Sequence, residues 1–205
     1  MIRNIVFDLG NVLISFRPSE YLVKNNYSPE VRKIILTDIF GSPEWLLLDN
    51  GDISLDEAID RIAEKSILKR KEIALIFEKR TAIMFPLGNN ISVLPELKKQ
   101  GFSLYYLSNF PIDIFSEIRN GNNFFKYFEG GIISSEVNHS KPDVRIYNIF
   151  LQKYNLKAEE TLYVDDLEIN IKAAESIGMK CYCTYGSLNI ADKLKNLIRL
   201  SLAKS

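Results

Sequence analysis

Four short stretches of this sequence end in side chains that could do chemistry on an anionic ligand. They are Asp8, within Phe7-Asp8-Leu9-Gly10-Asn11; Ser108-Asn109; Lys141, within Ser140-Lys141-Pro142; and Asp165-Asp166, with Asn170 about one helical turn beyond. Magnesium and similar hard cations prefer oxygen ligands to sulfur or imidazole, so Asp8, Asp165 and Asp166 could hold one. Lys141 would balance their charge. Taken singly these residues say little, because aspartates often cap turns and Lys-Pro is a common helix start. Their order, each placed behind an apolar run, makes a phosphate and magnesium site the expectation. His139 is the single histidine; it stands two residues before Lys141 and reads as a solvated loop residue rather than a proton donor.

The runs that must position these groups read as buried strands at 2–7, 102–107, 131–134, 161–164 and 180–184. Helix-like stretches at 91–100, 143–154, 169–177 and 189–202 fall among them, several with a glycine stop or a proline start. Strands alternating with helices imply an α/β fold: a Rossmann-like, doubly wound parallel sheet whose ligands gather at the carboxyl ends of the strands. Between 16 and 85 the pattern is helical without a convincing strand, at 29–38, 43–48, 55–66 and 69–84. The expected organisation is a catalytic core of 1–15 and 86–205 with a helical cap domain at 16–85 inserted after the first strand.

The 205 residues carry 26 basic and 26 acidic side chains, so no broad positive field is available for nucleic acid or an anionic membrane. Apolar runs fall far short of the roughly 18 residues of a membrane span. Asp8 interrupts what would be the apolar centre of a signal peptide, so a cytoplasmic location is expected. Cys181 and Cys183 are read as unpaired core thiols on opposite faces of a strand, which fits a reducing compartment.

Phe7-Asp8-Leu9-Gly10-Asn11-Val12-Leu13, Leu107-Ser108-Asn109, Lys141-Pro142-Asp143 and Val164-Asp165-Asp166 resemble the four ordered motifs of the haloacid dehalogenase superfamily. The match spans almost the whole core, and the helical insertion is similar to that superfamily's helical cap. The Asp-Leu-Gly-Asn form of the first motif resembles a bacterial branch with sugar-phosphate phosphatases, including one acting on alpha-glucose 1-phosphate. The resemblance implies that Asp8 is a nucleophile forming an aspartyl phosphate and that Ser108 and the Asn109 backbone N–H bind the phosphoryl oxygens. It implies that Lys141 neutralises the transferring group. Asp166 would bind Mg2+ directly, Asp165 through water or by orienting the shell, and Gly10 through its carbonyl. The implied substrate is a small phosphorylated metabolite, with a sugar phosphate the expected class.

One position departs from that pattern. Phosphatases of the superfamily carry a second aspartate two residues after the nucleophile as general acid and base, and here that residue is Gly10. Such catalysis contributes about 10² to 10⁴ in rate. A water at the vacated site, a cap side chain entering on closure, or an acidic leaving group would each compensate. Two other readings compete. A catalytically weak phosphate-binding or regulatory protein finds support in Gly10 alone. A metal-free 2-haloacid dehalogenase has no use for Asp165-Asp166 and would carry a bulky aromatic residue in place of Gly10.

Overall fold

Five strands rich in apolar and β-branched residues need cover on both faces, and the chain supplies it with helices. The computed structural model describes residues 1–187 and 189–202, with side chains described through 196. Among these residues the strands are β1 (Asn4–Phe7), β2 (Ile14–Phe16), β3 (Met84–Pro86), β4 (Ser103–Ser108), β5 (Gly130–Ile133), β6 (Thr161–Asp165) and β7 (Lys180–Cys183). Five of them form a parallel sheet in the order β5-β4-β1-β6-β7. Strand β1 lies at its centre, flanked by β4 and β6, so the strand order reverses there and the crevice rule points to the end of β1.

Alternating residues of β1 feed two separate cores. Ile5 and Phe7 join Leu104, Tyr106 and Val164 on one face, against α8 (Leu94–Lys99), α9 (Ile112–Asn120) and α13 (Ala191–Leu202). Val6 joins Tyr105, Ile132 and Tyr163 on the other, against α11 (Val144–Lys153) and α12 (Glu168–Ser176). The central strands are therefore apolar at successive positions, which is why the sequence shows runs rather than alternation. The sheet is the expected α/β, doubly wound arrangement.

The intervening segment folds as α1 (Pro18–Lys24), α2 (Pro29–Ile35) continuing into a π turn at Leu36–Phe40, α3 (Pro43–Asn50), α4 (Leu55–Ala63), α5 (Arg70–Glu78) and α6 (Arg80–Ile83). Local chemistry starts each of the central helices. Ser28 and Ser42 cap helices whose first residue is proline, and Ser54 with Glu57 forms a reciprocal capping box on α4. Their apolar faces build a third core around Trp45, Ile59, Ile73 and Phe77, with Trp45 stacked between Phe16 and Phe77.

Three local expectations are corrected. The insertion is not strand-free at its ends, because β2 and β3 pair antiparallel where the chain leaves and re-enters the core. The expected 91–100 helix is two shorter ones, α7 (Gly88–Ile91) and α8. Cys181 and Cys183 do not face opposite ways: residues two apart on a strand share a face, and both free thiols pack against the layer of α11 and α12. No described helix is long and apolar enough to cross a membrane.

Candidate active site

Every β-strand of the central part of the sheet delivers one functional group at its carboxyl end. Asp8 directly follows β1, Ser108 ends β4, and Asp165 ends β6 with Asp166 behind it. Lys141 comes from the loop beyond β5 and the short α10 (Ser134–Val137). The structure thus brings Asp8, Ser108, Lys141, Asp165 and Asp166 together, and Gly10, Asn109 and Asp166 line a cavity with Asp8.

Asp8 is held in one orientation. Its Oδ1 accepts the Leu9 N–H at 2.7 Å and the Ser108 hydroxyl at 2.5 Å, and it lies 2.9 Å from the Lys141 ammonium. Among the described residues nothing donates to Oδ2, so that oxygen is left for chemistry. A Cβ built at Gly10 would meet only this atom, at 4.0 Å, so the space beside the nucleophile is open. Burial pushes the Asp8 carboxyl up to about 6 against the pull of Lys141, with Asp165 adding to the rise.

Lys141 is buried between two carboxylates, 2.9 Å from Asp8 and 2.7 Å from Asp165 Oδ2. Burial alone would lower its pKa, yet Asp165 and Asp8 outweigh that and hold it above the ordinary lysine value. It stays charged. Asp165 is fully buried and its oxygens are occupied: Oδ2 accepts from Lys141 and the Tyr163 hydroxyl, Oδ1 from the Leu167 N–H at 2.8 Å, and Asn170 Nδ2 reaches both at 3.1 Å. Burial opposes its charge, Lys141 favours it, and the carboxyl ends below its usual range. Asp165 therefore orients Lys141 and the β6 loop, and Asn170 locks it.

Asp166 is half-buried, and burial followed by the Asp165 charge raises its pKa, with the Lys141 charge foremost among the opposing causes. Carboxylate oxygens of Asp8, Asp165 and Asp166 lie within 4.8 Å of one another. Three carboxylates face a single ammonium here, leaving two negative charges over. A hard divalent cation on oxygen donors fits that excess, with Asp8 and Asp166 as the carboxylates free to hold it.

Other residues around the site hold the scaffold. The Asn109 side chain clamps the Lys141 peptide, donating to its carbonyl at 3.0 Å and accepting from its N–H at 2.9 Å. Asn11 adopts a left-handed φ of 50° and accepts the Phe16 N–H, fixing the turn into the insertion. Arg17 pairs with Glu20 in solvent, and Trp45 lies in the insertion's core with one edge on the cavity.

Sequence reasoning missed Asp49. It lies in the last turn of α3 and lines the same cavity as Asp8, Gly10 and Asp166. The available signal was its spacing, four residues after the core residue Trp45 and so on the same helix face.

A carboxylate at the open end of a parallel sheet, with a buried ammonium and a cation-ready acid pair around it, is an arrangement suited to chemistry on an anionic ester. Residues 5–184 match the haloacid dehalogenase-like hydrolase family, and the chain belongs to it. A sesquiterpene phosphatase of Aspergillus oryzae is 29% identical over 94% of this chain and 95% of its own. A phosphorylated carbohydrates phosphatase of Thermotoga maritima is 24% identical over 98% and 93%. A haloacid dehalogenase family enzyme from Bacteroides thetaiotaomicron, solved with magnesium and inorganic phosphate, superposes with a TM-score of 0.68 at 24% identity, covering 89% of this chain and 94% of that one. The Aspergillus and Thermotoga relatives are both phosphatases.

Proposed function

We propose that this protein is a magnesium-dependent phosphatase of small phosphorylated metabolites that works through a phosphoryl group carried on Asp8. The observation that carries the reading is the pairing of an open Asp8 Oδ2 with a buried, charged Lys141 at the floor of a cavity of about 170 Å³ roofed by the helical insertion. A cavity of that size suits a phosphate and a small organic group.

Phosphoryl transfer asks a protein mainly for positioning and charge stabilisation. Asp8 Oδ2 would attack phosphorus in line with the leaving oxygen. Ser108 and Lys141, already on Oδ1, would face the equatorial phosphoryl oxygens, and Asn109 would keep Lys141 in place. A bound divalent cation would supply the remaining positive charge between nucleophile and phosphate. Water then cleaves the aspartyl phosphate and restores the carboxylate.

For the organic part, a sugar phosphate is supported by the Asp-Leu-Gly-Asn motif and by the Thermotoga relative's carbohydrate substrates. The cavity wall favours a second class. Phe16, Trp45, Met84, Phe110 and Ile114 make it largely apolar, which suits a compact apolar monophosphate, in keeping with the Aspergillus relative's sesquiterpene phosphate chemistry. Purified protein assayed for phosphate release from sugar phosphates and from short alkyl and prenyl phosphates, with magnesium or with chelator, tests both. Release that chelator abolishes supports the reading, and the preferred series decides the class. Release insensitive to chelator, or none from any ester, refutes it.

A further inference from the structure

Gly10 leaves the departing oxygen of a substrate without a proton donor from the core, yet the cavity holds a carboxyl that the cation cluster does not include. Asp49 reaches it from the roof. It stands one turn after Trp45 on α3, which lines the same cavity, and lies near enough to Asp8 and Lys141 to feel both charges.

The backbone that carries Asp49 is tied to the core at several points. The Ser134 hydroxyl donates to the Asp49 carbonyl, Asn138 Nδ2 donates to the Asn50 carbonyl at 3.2 Å, and the Ser140 hydroxyl donates to Asn50 Oδ1 at 2.9 Å. Gly51 follows with φ of +76°, so close to the core that an added Cβ would stand 2.9 Å from the Ser135 carbonyl oxygen. These contacts fix the end of α3 on the same loop that delivers Lys141. Donor and nucleophile are therefore set by one piece of chain.

We propose that Asp49, entering from the helical insertion, is the general acid and base of this site and stands in for the carboxyl absent at Gly10. The proposal rests on the phosphatase reading above. Asp8 Oδ2 bonds to phosphorus as the bond from phosphorus to the leaving oxygen breaks, and the Asp49 proton passes to that oxygen, releasing the alcohol. The Asp49 carboxylate then takes a proton from water whose oxygen bonds to phosphorus. The bond from phosphorus to Asp8 breaks, inorganic phosphate leaves, and Asp49 is protonated again. Its environment suits the first step: burial pushes the carboxyl up to about 8, the Trp45 indole opposing, the Asp8 charge adding and Lys141 opposing.

The test compares wild type, D49N and D8N, as full chains with magnesium, on ethyl phosphate and p-nitrophenyl phosphate. Nitrophenolate needs no proton to leave, whereas ethoxide does. D49N is expected to lose on the order of 10² to 10⁴ in turnover of ethyl phosphate. With p-nitrophenyl phosphate it should release one equivalent of nitrophenolate in a burst of near wild-type rate, then stall on the phosphoenzyme. Equal loss on both esters without a burst, or no loss on either, overturns the role of Asp49 while leaving the phosphatase reading intact. Full turnover by D8N would instead overturn that reading. A check that needs no variant is the wild-type phosphorylation rate across aryl and alkyl phosphates: a steep fall with leaving-group basicity contradicts a general acid.

Discussion

Replacing Lys141 with methionine removes the one positive charge buried between Asp8 and Asp165 while keeping an unbranched side chain one atom shorter. In the native protein its ammonium lies 2.9 Å from one carboxylate and 2.7 Å from the other. Removing one partner of a buried ion pair costs about 3–5 kcal/mol, because the remaining charge is left uncompensated. The Asp8 carboxyl already sits at about 6 instead of 3.8, so its ionisation in the fold costs roughly 3 kcal/mol even with Lys141 present. The signs differ for the two acids. Asp8, raised, stabilises the fold while protonated, and that contribution is lost as pH rises from the ordinary carboxylate value to about 6. Asp165, lowered, stabilises the fold above the ordinary value and loses that contribution as pH falls through its folded pKa. Without Lys141 the second contribution disappears and the first penalty grows. K141M should therefore be less stable than wild type by about 3 kcal/mol near pH 7, with the deficit shrinking toward about pH 5 as a proton replaces the ammonium. Millimolar magnesium should recover part of the loss at the higher pH. Urea unfolding across this range, with and without magnesium, is the assay. A deficit below about 1 kcal/mol, or one that does not change with pH, would refute the electrostatic account.

Gly51→Ala should cost about 1–3 kcal/mol, since the residue must keep a left-handed φ and its Cβ would press on Ser135. Thermal unfolding measures that loss, and a raised KM should report looser seating of the roof. Asp166→Asn should abolish most of the magnesium-dependent stabilisation, which for a cation at 100 times its Kd is about 2.7 kcal/mol in wild type. A thermal shift titrated with magnesium reads it directly, and an unchanged shift would remove Asp166 from the cation site.

The site was legible where function forces a residue type to the end of an apolar run. Asp8, Ser108 and Asp165 each sit where a buried strand stops, and period and position together announce them. The order of the sheet was not readable, because β1 pairs with strands as far along the chain as Thr161 and no side-chain pattern names a neighbour. Strands β2 and β3 escaped notice because three residues carry too little periodicity, and α9 because its start at Pro111-Ile112 follows directly on the Ser108-Asn109 loop. The sequence offers Asn109 for its backbone N–H, whereas the clamp its side chain makes on the Lys141 peptide is a pairing only tertiary structure creates. Asp49 stayed hidden for the same reason. A carboxylate in the last turn of a short helix reads as solvated until the helix end is seen docked against Ser134 and Ser140.

The central claim is that Asp8 carries the phosphoryl group. Protein mixed with p-nitrophenyl phosphate and magnesium, quenched in acid within the first turnovers and mapped by peptide mass spectrometry, tests it most directly. The account predicts a phosphoryl group on Asp8, more abundant in D49N and missing in D8N. Steady phosphate release with no phosphopeptide, or undiminished release by D8N, would contradict it.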